Sequence, residues 1–498
     1  MSSVTVAEML AIEASAAESG WTEEQLLNLA GERLGIAIGR YFPGPRTVVG
    51  YLGKGHNAAD TLVALRILRD HFGWKIATRN AYPIDECTPL FGEKWTELGI
   101  PLPPDQTPSW QQADGPLILL DGLLGTGSRG PLRPCLQRLA TEMAWLRHHA
   151  GARVAAIDLP SGIDPDSGQI SPGIVVADIT FMIGAAKRGL LIGDAASTTG
   201  ALALVPVEPL TAAPTSELTL ISPQTLDIAK SPRPYDFHKG TAGRIAIVAG
   251  SEQFPGAAVL AATGTLRGGG GLVTLYVPHS IHSQVAAKSP PELILCGYEN
   301  PSEVLKYRFD ALVVGCGLGE MHGEAGRGLV TLLSNSAVPT VVDADALNFI
   351  AHSKNLEILS KNHLLTPHPG EFARLAPDLA ELPREKAARE FVTRCPATLL
   401  LKGCRTIVTR HGLPLLVNST GTPAMATGGH GDFLAGVIGA RLARGDSPTD
   451  AAALGAWLCG RAAEIAVTDG HFSEDTLLPS DLANFLGAAF TDWRSSRR

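Results

Sequence analysis

A cluster of glycines followed by one acid, "MATGGHGDFLAGVI", is the stretch of this sequence best suited to chemistry. Gly428, Gly429 and Gly431 precede Asp432, and an amphipathic helical pattern follows at once. Backbone N–H groups at a helix start bind anions, and glycines let a phosphate approach them closely. A carboxylate would repel a bound phosphate, so it suits a base for the hydroxyl that receives a phosphoryl group. The alternative is a glycine turn in which Asp432 caps the helix.

Loops after other strand-like runs are predicted to place further polar residues in one cleft with this glycine cluster. "LLLKGCRT" puts Lys402 directly after a strand, where a nucleotide phosphate or ribose would need it. "LLTPHPGEF" holds His368 between two prolines, which fix its backbone for a substrate contact. "VVDADALNF" places Asp343 and Asp345 at a strand end, where orienting a cation or substrate and capping a helix are equally good interpretations.

The first half of the chain carries its own strand-end acids. Asp121 and Asp158 each end a strand, in "DGLLGTGSRGP" and "AIDLPSGIDPDSG", and Ser161 follows in the turn after Asp158. The "GTGSRG" run offers backbone donors for a phosphate, with Arg129 as a cation. An earlier loop, "GKGHNAADTLVALR", begins like another phosphate-binding turn but has alanines where such loops present glycines.

The elements that must position these residues alternate between strands and helices. Short β-branched runs such as "TVVGYL", "PLILLDG" and "GRIAIVAG", apolar on both faces, predict strands buried in parallel sheets. The proline-rich residues 206–234 are interpreted as a linker between the two halves. Two doubly wound α/β domains are therefore predicted, with ligands at the carboxyl ends of the strands. The halves share no residue-level repeat.

Composition excludes several classes of function. The 498 residues predict two or three domains of ~150 residues. A net charge of −8 without a basic cluster argues against a nucleic-acid partner. The sequence contains neither a secretory leader nor an apolar run of ~20 residues, so a cytoplasmic enzyme that does not bind a membrane is expected. Seven scattered cysteines predict reduced thiols, not disulfides or a thiolate zinc site.

The motifs of the second half, in their order and spacing, resemble the ADP/ATP-dependent NAD(P)H-hydrate dehydratases of the ribokinase-like superfamily. "HKGTAGRIAIVAGS", "VVGCGLG", "DADALN", "TPHPGEF", "LKG" and "MATGGHGDFLAGVI" carry the resemblance, from Leu226 to Leu486. It implies a ribokinase-like fold and ADP or ATP as co-substrate, with Mg²⁺ bound to the nucleotide. The implied nucleotide contacts are Lys402, Gly403, Cys404, Arg405, Thr406, Gly428, Gly429 and Gly431. Those implied for the hydrated nicotinamide are Ala257, Gly317, His368 and Asp432, with Asp432 as the catalytic base.

The first half, from Val4 to Val207, resembles the NAD(P)H-hydrate epimerases, which have a Rossmann-like fold. The resemblance implies K⁺ bound by Asn57, Asp121 and Ser161, and proton transfer at the epimerising carbon by Asp158. The implied ligand contacts are His56, Asn57, Ala58, Ala59, Asp60, Gly125, Thr126, Gly127, Ser128, Arg129 and Gly130. The methyl groups of Ala58 and Ala59 are expected to crowd the pyrophosphate and to weaken this site.

The combined prediction is a bifunctional repair enzyme, both isomerase and lyase, acting on hydrated NADH and NADPH. Its expected domains are an epimerase domain over residues 1–210 and a dehydratase domain over residues 226–498. The resemblance also implies a homo-oligomer. The alternative is a ribokinase-like small-molecule kinase whose first domain is a non-catalytic scaffold.

Overall fold

The computed structural model describes residues 3–100, 117–127, 129–211, 216–229 and 233–495. The chain divides into two compact units, Met1–Leu226 and Asp227–Ser495. Each unit contains a sheet of mainly parallel strands with helices between them, so the predicted α/β class is confirmed. Among the described residues, no helix combines the length and apolar character needed to cross a membrane.

The sheet of the first unit is entirely parallel. Its strands are β1 (Thr47–Leu52), β2 (Lys75–Asn80), β3 (Leu117–Gly122), β4 (Arg153–Ile157), β5 (Ile179–Ile183) and β6 (Ala201–Val205). They lie in the order β2-β1-β3-β4-β5-β6. Every residue of β3, β5 and β6 is buried, which explains why these strands are apolar on both faces. The order changes direction between β1 and β3, and ligands bind at such a switch point.

Helices cover the strands of this sheet. They are α1 (Val6–Glu18), α2 (Glu23–Tyr41), α3 (His56–Phe72), α4 (Pro89–Leu98), α5 (Pro134–His149) and the short α6 (Ala196–Thr199). Both N-terminal helices begin with a capping box, formed by Thr5 with Glu8 and by Thr22 with Gln25. The helix α2 packs on α3, and α3 supplies part of the site described below.

Residues 206–234 are not only a linker. They contain β7 (Leu218–Ile221), and Leu218, Leu220 and Ile221 are buried. The prolines on either side of this short run hide its strand character in the sequence. The interpretation of this segment as a linker therefore misses one buried strand.

The strands of the second unit lie in one sheet. They are β8 (Arg244–Val248), β9 (Leu272–Pro278), β10 (Ile294–Tyr298), β11 (Ala311–Val314), β12 (Thr340–Val342), β13 (His363–Leu365), β14 (Thr398–Leu401), β15 (Ile407–Thr409) and β16 (Leu415–Asn418). They lie in the order β10-β9-β8-β11-β12-β13-β14-β15-β16. Pairing is parallel from β10 to β14 and antiparallel from β14 to β16, as expected for the hairpin that turns at Gly412.

The helices of the second unit follow the strands in alternation. They are α7 (Pro255–Arg267), α8 (His282–Ala286), α9 (Gly323–Asn335), α10 (Ala344–Ser353), α11 (Pro369–Leu375), α12 (Arg384–Arg394), α13 (His430–Ala443), α14 (Pro448–Thr468) and α15 (Leu482–Ser495). Ser447 caps α14 by accepting from the N–H of Asp450, and Pro448 occupies the first helical position. The helix α13 packs on α7 and against β11 and β12, which brings its start to the carboxyl ends of those strands.

Candidate active sites

The glycine cluster of the second unit ends at the start of α13. Gly429 occupies the capping position with a φ of 99°, and a Cβ there would lie 2.6 Å from Cδ1 of Leu260. This position therefore requires glycine. Asp432 is the third residue of the helix, and the cap forms no side-chain hydrogen bond. The interpretation of Asp432 as an N-cap is wrong, and the first-turn N–H groups are suited to bind an anion.

The environment of Asp432 brings its acidity close to neutral pH. Burial, and then the charge of Asp343, raise the pKa of Asp432 to about 7. A hydrogen bond with Cys316 and the charge of Lys402 act in the opposite direction. A carboxylate with such a pKa is a much stronger base than an ordinary aspartate and is still ionised in an appreciable fraction at neutral pH.

Lys402 forms an ion pair with a buried acid. Its Nζ atom lies 2.7 Å from Oδ1 of Asp343, whose side chain is 1% exposed. A Cβ on Gly431 would lie 3.0 Å from the same Nζ atom, so the ammonium group borders the start of α13. Burial lowers the pKa of Lys402, but the charges of Asp343 and Glu371 outweigh it and raise the pKa above its ordinary value. A lasting positive charge therefore lies beside the glycine turn.

The two acids at the end of β12 hold structural partners. Asp343 occupies the capping position of α10 but makes no capping bond, because its carboxylate accepts from Lys402 instead. Oδ2 of Asp345 accepts from the N–H of Gly319 at 2.8 Å. Asp343 is thus the N-cap residue of α10 by position, without a capping bond from its side chain, and the orientation of a cation or substrate by these two acids stays a prediction.

The loop from Lys402 to Thr406 is fixed by an arginine of α12. The guanidinium group of Arg384 donates to the carbonyl oxygens of Lys402 at 3.1 Å and Cys404 at 2.6 Å. Thr406 donates from Oγ1 to the carbonyl of Gly403 at 3.1 Å. The backbone of this predicted nucleotide loop is therefore pre-shaped, which lowers the entropy cost of binding a ligand.

The side chain of His368 caps α11. Its Nδ1 atom accepts from the N–H groups of Gly370 at 3.0 Å and Glu371 at 3.3 Å, while Glu371 accepts from the N–H of His368 at 2.8 Å. The Nε2 atom belongs to a half-exposed ring, so a substrate contact by His368 stays a prediction for that atom. Ala257 and Gly317 pack together, and a Cβ on Gly317 would lie 2.7 Å from the Cβ of Ala257.

The first unit contains a cavity of about 950 Å³ between α1, α2, α3 and the strand ends. This volume suits a ligand of drug size or above. Predicted residues that line it are His56, Asn57, Asp60, Gly125, Thr126, Gly127, Arg129 and Asp158. The lining does not include Ala58, Ala59, Asp121, Gly130 or Ser161. Ser128 lies outside the described residues.

Asp158 is held at the cavity wall by a buried lysine. Its Oδ1 atom accepts from the ammonium group of Lys187 and, at 3.0 Å, from the N–H of Ile183. The Lys187 side chain is 2% exposed. Asp158 has a φ of 67°, a left-handed conformation that is uncommon outside glycine and is typical of functional strand ends.

The carboxyl groups of Glu13 and Asp60 also line this cavity. Burial raises the pKa of Glu13, although the charge of Lys187 opposes the rise. Burial, and then the charge of Asp158, raise the pKa of Asp60 well above its ordinary value. The carboxyl groups of Glu13, Asp60 and Asp158 therefore act on one another and on the Lys187 ammonium group at this cavity.

The three predicted K⁺ ligands lie together beneath this cavity. Oδ1 of Asp121 accepts from the Ser161 hydroxyl at 2.7 Å, and Nδ2 of Asn57 donates to the carbonyls of Leu124 at 2.7 Å and Ile157 at 3.1 Å. Burial raises the pKa of Asp121 to about 6, although hydrogen bonds from Ser161 oppose this. Among the described residues, no cationic side chain contributes to that pKa. Oxygen donors around a buried carboxylate of this kind fit a monovalent cation.

The expectation that Ala58 and Ala59 crowd a ligand is wrong. Both lie in the first turn of α3, and their side chains are 1% and 0% exposed within the hydrophobic core. Neither has a positive φ, so neither is strained. The helix begins at His56, so both residues belong to α3, and they pack in the core without lining the cavity.

Arg129 is less available than predicted. Its guanidinium group lies 2.8 Å from Asp166 and 3.3 Å from Asp164, and those carboxylates offset the charge meant for a phosphate. Gly130 has a φ of 80° and shapes the turn without lining the cavity.

Sequence reasoning did not identify Lys187, Glu13, Cys316, Glu371 and Arg384. Lys187 and Cys316 each follow the end of a parallel strand, and that position is a signal the sequence does offer. Glu13 lies in α1, far along the chain from the strand ends of its site, and Arg384 begins α12, 18 residues before Lys402. Only the tertiary fold brings those two residues to the sites.

Comparisons with known proteins match both units. Residues 245–485 match the family model described as NAD(P)H-hydrate dehydratase, and residues 23–189 match that of the YjeF-related protein N-terminus. The bifunctional NAD(P)H-hydrate repair enzyme Nnr of Gloeobacter violaceus is 35% identical, over 92% of this chain and 94% of that protein. The enzyme of the same name from Escherichia coli is 30% identical, over 94% of this chain and 89% of that protein.

A solved structure matches the second unit. It is the ADP/ATP-dependent NAD(P)H-hydrate dehydratase from Bacillus subtilis co-crystallised with ATP/Mg²⁺, at 28% identity and a TM-score of 0.46. The match covers 53% of this chain and 94% of that chain. From the relatives that match along nearly its whole length, the chain belongs to the family of bifunctional NAD(P)H-hydrate repair enzymes.

Proposed function

We propose that Asp432 and Asp158 are the catalytic residues with which this chain returns hydrated NADH and NADPH to their intact forms. The second unit dehydrates the hydrate at the expense of ADP or ATP, and the first unit interconverts the two epimers at ring carbon 6. One observation carries the assignment most strongly. Asp432, with a pKa of about 7, lies at the glycine-lined start of α13 beside the Lys402 ammonium group.

In the dehydratase site, Asp432 accepts the proton of the substrate hydroxyl while that oxygen attacks the terminal phosphorus of the nucleotide. The N–H groups at the start of α13 and the Lys402 ammonium stabilise the charge on the phosphoryl oxygens. The C–O bond then breaks, phosphate leaves, and loss of a ring proton restores the reduced nicotinamide. Mg²⁺ accompanies the nucleotide and supplies further charge neutralisation.

In the epimerase site, Asp158 takes and returns the proton that must move when the configuration at carbon 6 inverts. Lys187 and the N–H of Ile183 both bind Oδ1, so we assign the transfer to Oδ2. Asp60 and Glu13 line the same cavity, and burial raises the pKa values of both carboxyl groups. The cavity of about 950 Å³ also gives room for a dinucleotide.

Asp121, Ser161 and Asn57, with the carbonyls that Asn57 contacts, would hold K⁺ beneath the epimerase cavity. The buried Asp121 carboxylate supports this assignment, because the hydrogen bonds that it accepts from Ser161 and Leu123 favour its ionised form. A cation held by these residues would supply positive charge beneath the substrate. Asn57 and Gly125 approach each other closely and line the cavity, so the cation would act on the substrate across these two residues.

The dehydratase assignment is tested by incubating the pure protein with hydrated NADH and either ADP or ATP. NADH and inorganic phosphate should appear in equal amounts. Asp432→Asn should lower the rate by roughly 100- to 10,000-fold, the usual effect of removing a general base. The exposed Asp475→Asn serves as the matched control and should keep the wild-type rate. A phosphorylated product that accumulates without phosphate release would favour the kinase alternative.

A further inference from the structure

The thiol of Cys316 is the neighbour of Asp432 that neither the sequence motifs nor the reaction accounts for. Cys316 follows β11 and is 0% exposed. Its Sγ atom and the carboxylate oxygens of Asp343 and Asp432 all lie within 4.8 Å of one another. The thiol therefore faces the Asp432 carboxylate, and its contact with that group favours the ionised form of Asp432. Because an ionised carboxylate is an acceptor only, the S–H group is the donor.

The backbone around Cys316 leaves the thiol little freedom. Gly315 and Gly317 flank it with φ values of 125° and 62°. A Cβ on Gly315 would collide with the carbonyl oxygen of Asp343, and one on Gly317 would lie 2.7 Å from Ala257. The carbonyl of Cys316 accepts from the N–H of Gly250 at 2.9 Å. These contacts fix the direction in which the side chain points.

The other side chains with a large effect on the pKa of Asp432 are charged. Asp343 and Asp345, from the end of β12 and the start of α10, disfavour its ionised form, and Lys402, after β14, favours it. Lys402 itself is bound to Asp343 at 2.7 Å and is also influenced by Glu371. Cys316 therefore contributes the neutral, directional donor among these neighbours.

We propose that Cys316 is a positioning residue for the dehydratase reaction, whose thiol holds the Asp432 carboxylate in orientation and stabilises its ionised form. This inference rests on the proposed role of Asp432 as the base. A thiol is a weak donor, so it steadies one carboxylate oxygen and leaves the other free for the substrate hydroxyl. A stronger donor would stabilise the ionised form more and make Asp432 a weaker base.

The test is the pH dependence of kcat for the full-length protein with hydrated NADH and saturating ADP or ATP. In Cys316→Ala the acid limb should move to higher pH by roughly half to one unit, since the lost donor is a weak one. In Cys316→Ser the limb should stay in place or move to lower pH, because a hydroxyl donates more strongly. Cys395→Ala is the matched control. Cys395 is also buried, but it precedes β14 and so lies at the amino ends of the parallel strands, away from the site at their carboxyl ends.

The outcomes separate the two proposals. Identical acid limbs in the wild type, Cys316→Ala and Cys316→Ser would overturn the role of Cys316 while leaving that of Asp432 intact, provided that Asp432→Asn is inactive. An active Asp432→Asn would instead overturn the base assignment itself. If the alanine variant does not fold in a thermal unfolding scan, the direction of the shift in the serine variant decides. An upward shift there contradicts the proposal.

Discussion

The Nζ atom of Lys402 lies 2.7 Å from Oδ1 of Asp343, and this ion pair borders the first turn of α13. The same lysine thus neutralises a buried carboxylate and presents positive charge where the phosphoryl group should bind. The two roles can be separated, because only the first disappears when Asp343 loses its charge.

Replacing Lys402 with Met should affect both stability and nucleotide use. Asp343 would become a buried charge without its partner, which costs roughly 3 kcal/mol or more of unfolding free energy. The double variant Lys402→Met/Asp343→Asn should recover most of that stability in urea unfolding. It should still require at least about tenfold more nucleotide, a loss of 1.4 kcal/mol in binding, with a smaller change for the hydrate. Full nucleotide affinity in the double variant would show that Lys402 only supports Asp343.

The raised pKa of Asp432 predicts that this residue destabilises the fold at neutral and alkaline pH. Its pKa is about 7 in the folded protein and ~3.9 in the unfolded chain. Its favourable contribution to the free energy of unfolding is therefore complete below about pH 4 and is lost as the pH rises through about 7. At pH 8, urea unfolding should show that Asp432→Asn has a free energy of unfolding higher than that of the wild type by up to about 4 kcal/mol. This gap in free energy should shrink below pH 4. A gap that stays constant from pH 4 to 8 would contradict the raised pKa.

The buried positions of Ala58 and Ala59 reverse the expectation drawn from the sequence. Replacing both with Gly should not speed epimerisation, because their methyl groups face the core and not the cavity. It should instead lower the free energy of unfolding by about 1 kcal/mol per site from helix propensity, and by more where a cavity opens. Faster epimerisation by the glycine variant, measured with the epimer that the dehydratase rejects, would restore the crowding hypothesis.

Potassium should stabilise the first unit through Asp121. In buffers matched for ionic strength, the midpoint of thermal unfolding should be higher in KCl than in tetramethylammonium chloride. Asp121→Asn should abolish that difference, since it removes the buried negative charge. The surface variant Asp85→Asn should retain the difference and serves as the control. Equal midpoints for the wild type in the two salts would contradict a K⁺ site.

Residues at the ends of parallel strands were within reach of sequence analysis. Asp121, Asp158, Lys402 and Asp432 are found at the carboxyl ends of strands or at the helix start beside them, where the doubly wound pattern places them. The α/β class follows from the same pattern, because buried strands that are apolar on both faces have few alternatives.

The sequence does not predict the directions in which side chains point or the partners with which they pair. The sequence does not show that Ala58 and Ala59 belong to a helix, because the start of α3 has no side-chain cap. The partners Lys187 and Asp158 are 29 residues apart in sequence, and the spacing gives no reason to join them. The pKa of Asp432 depends on burial and on Asp343, and both are properties of the folded chain.

The most direct test of the central claim uses hydrated NADH containing both epimers, with ADP or ATP, and follows the recovery of NADH absorbance in K⁺ buffer. The wild type should convert all of the hydrate in one continuous phase. Asp158→Asn should stop after the fraction that the dehydratase accepts, with a slow remainder set by spontaneous epimerisation, and Asp432→Asn should recover almost none. Complete conversion by Asp158→Asn at the wild-type rate, or by Asp432→Asn, would contradict the assignment of two catalytic sites to this chain.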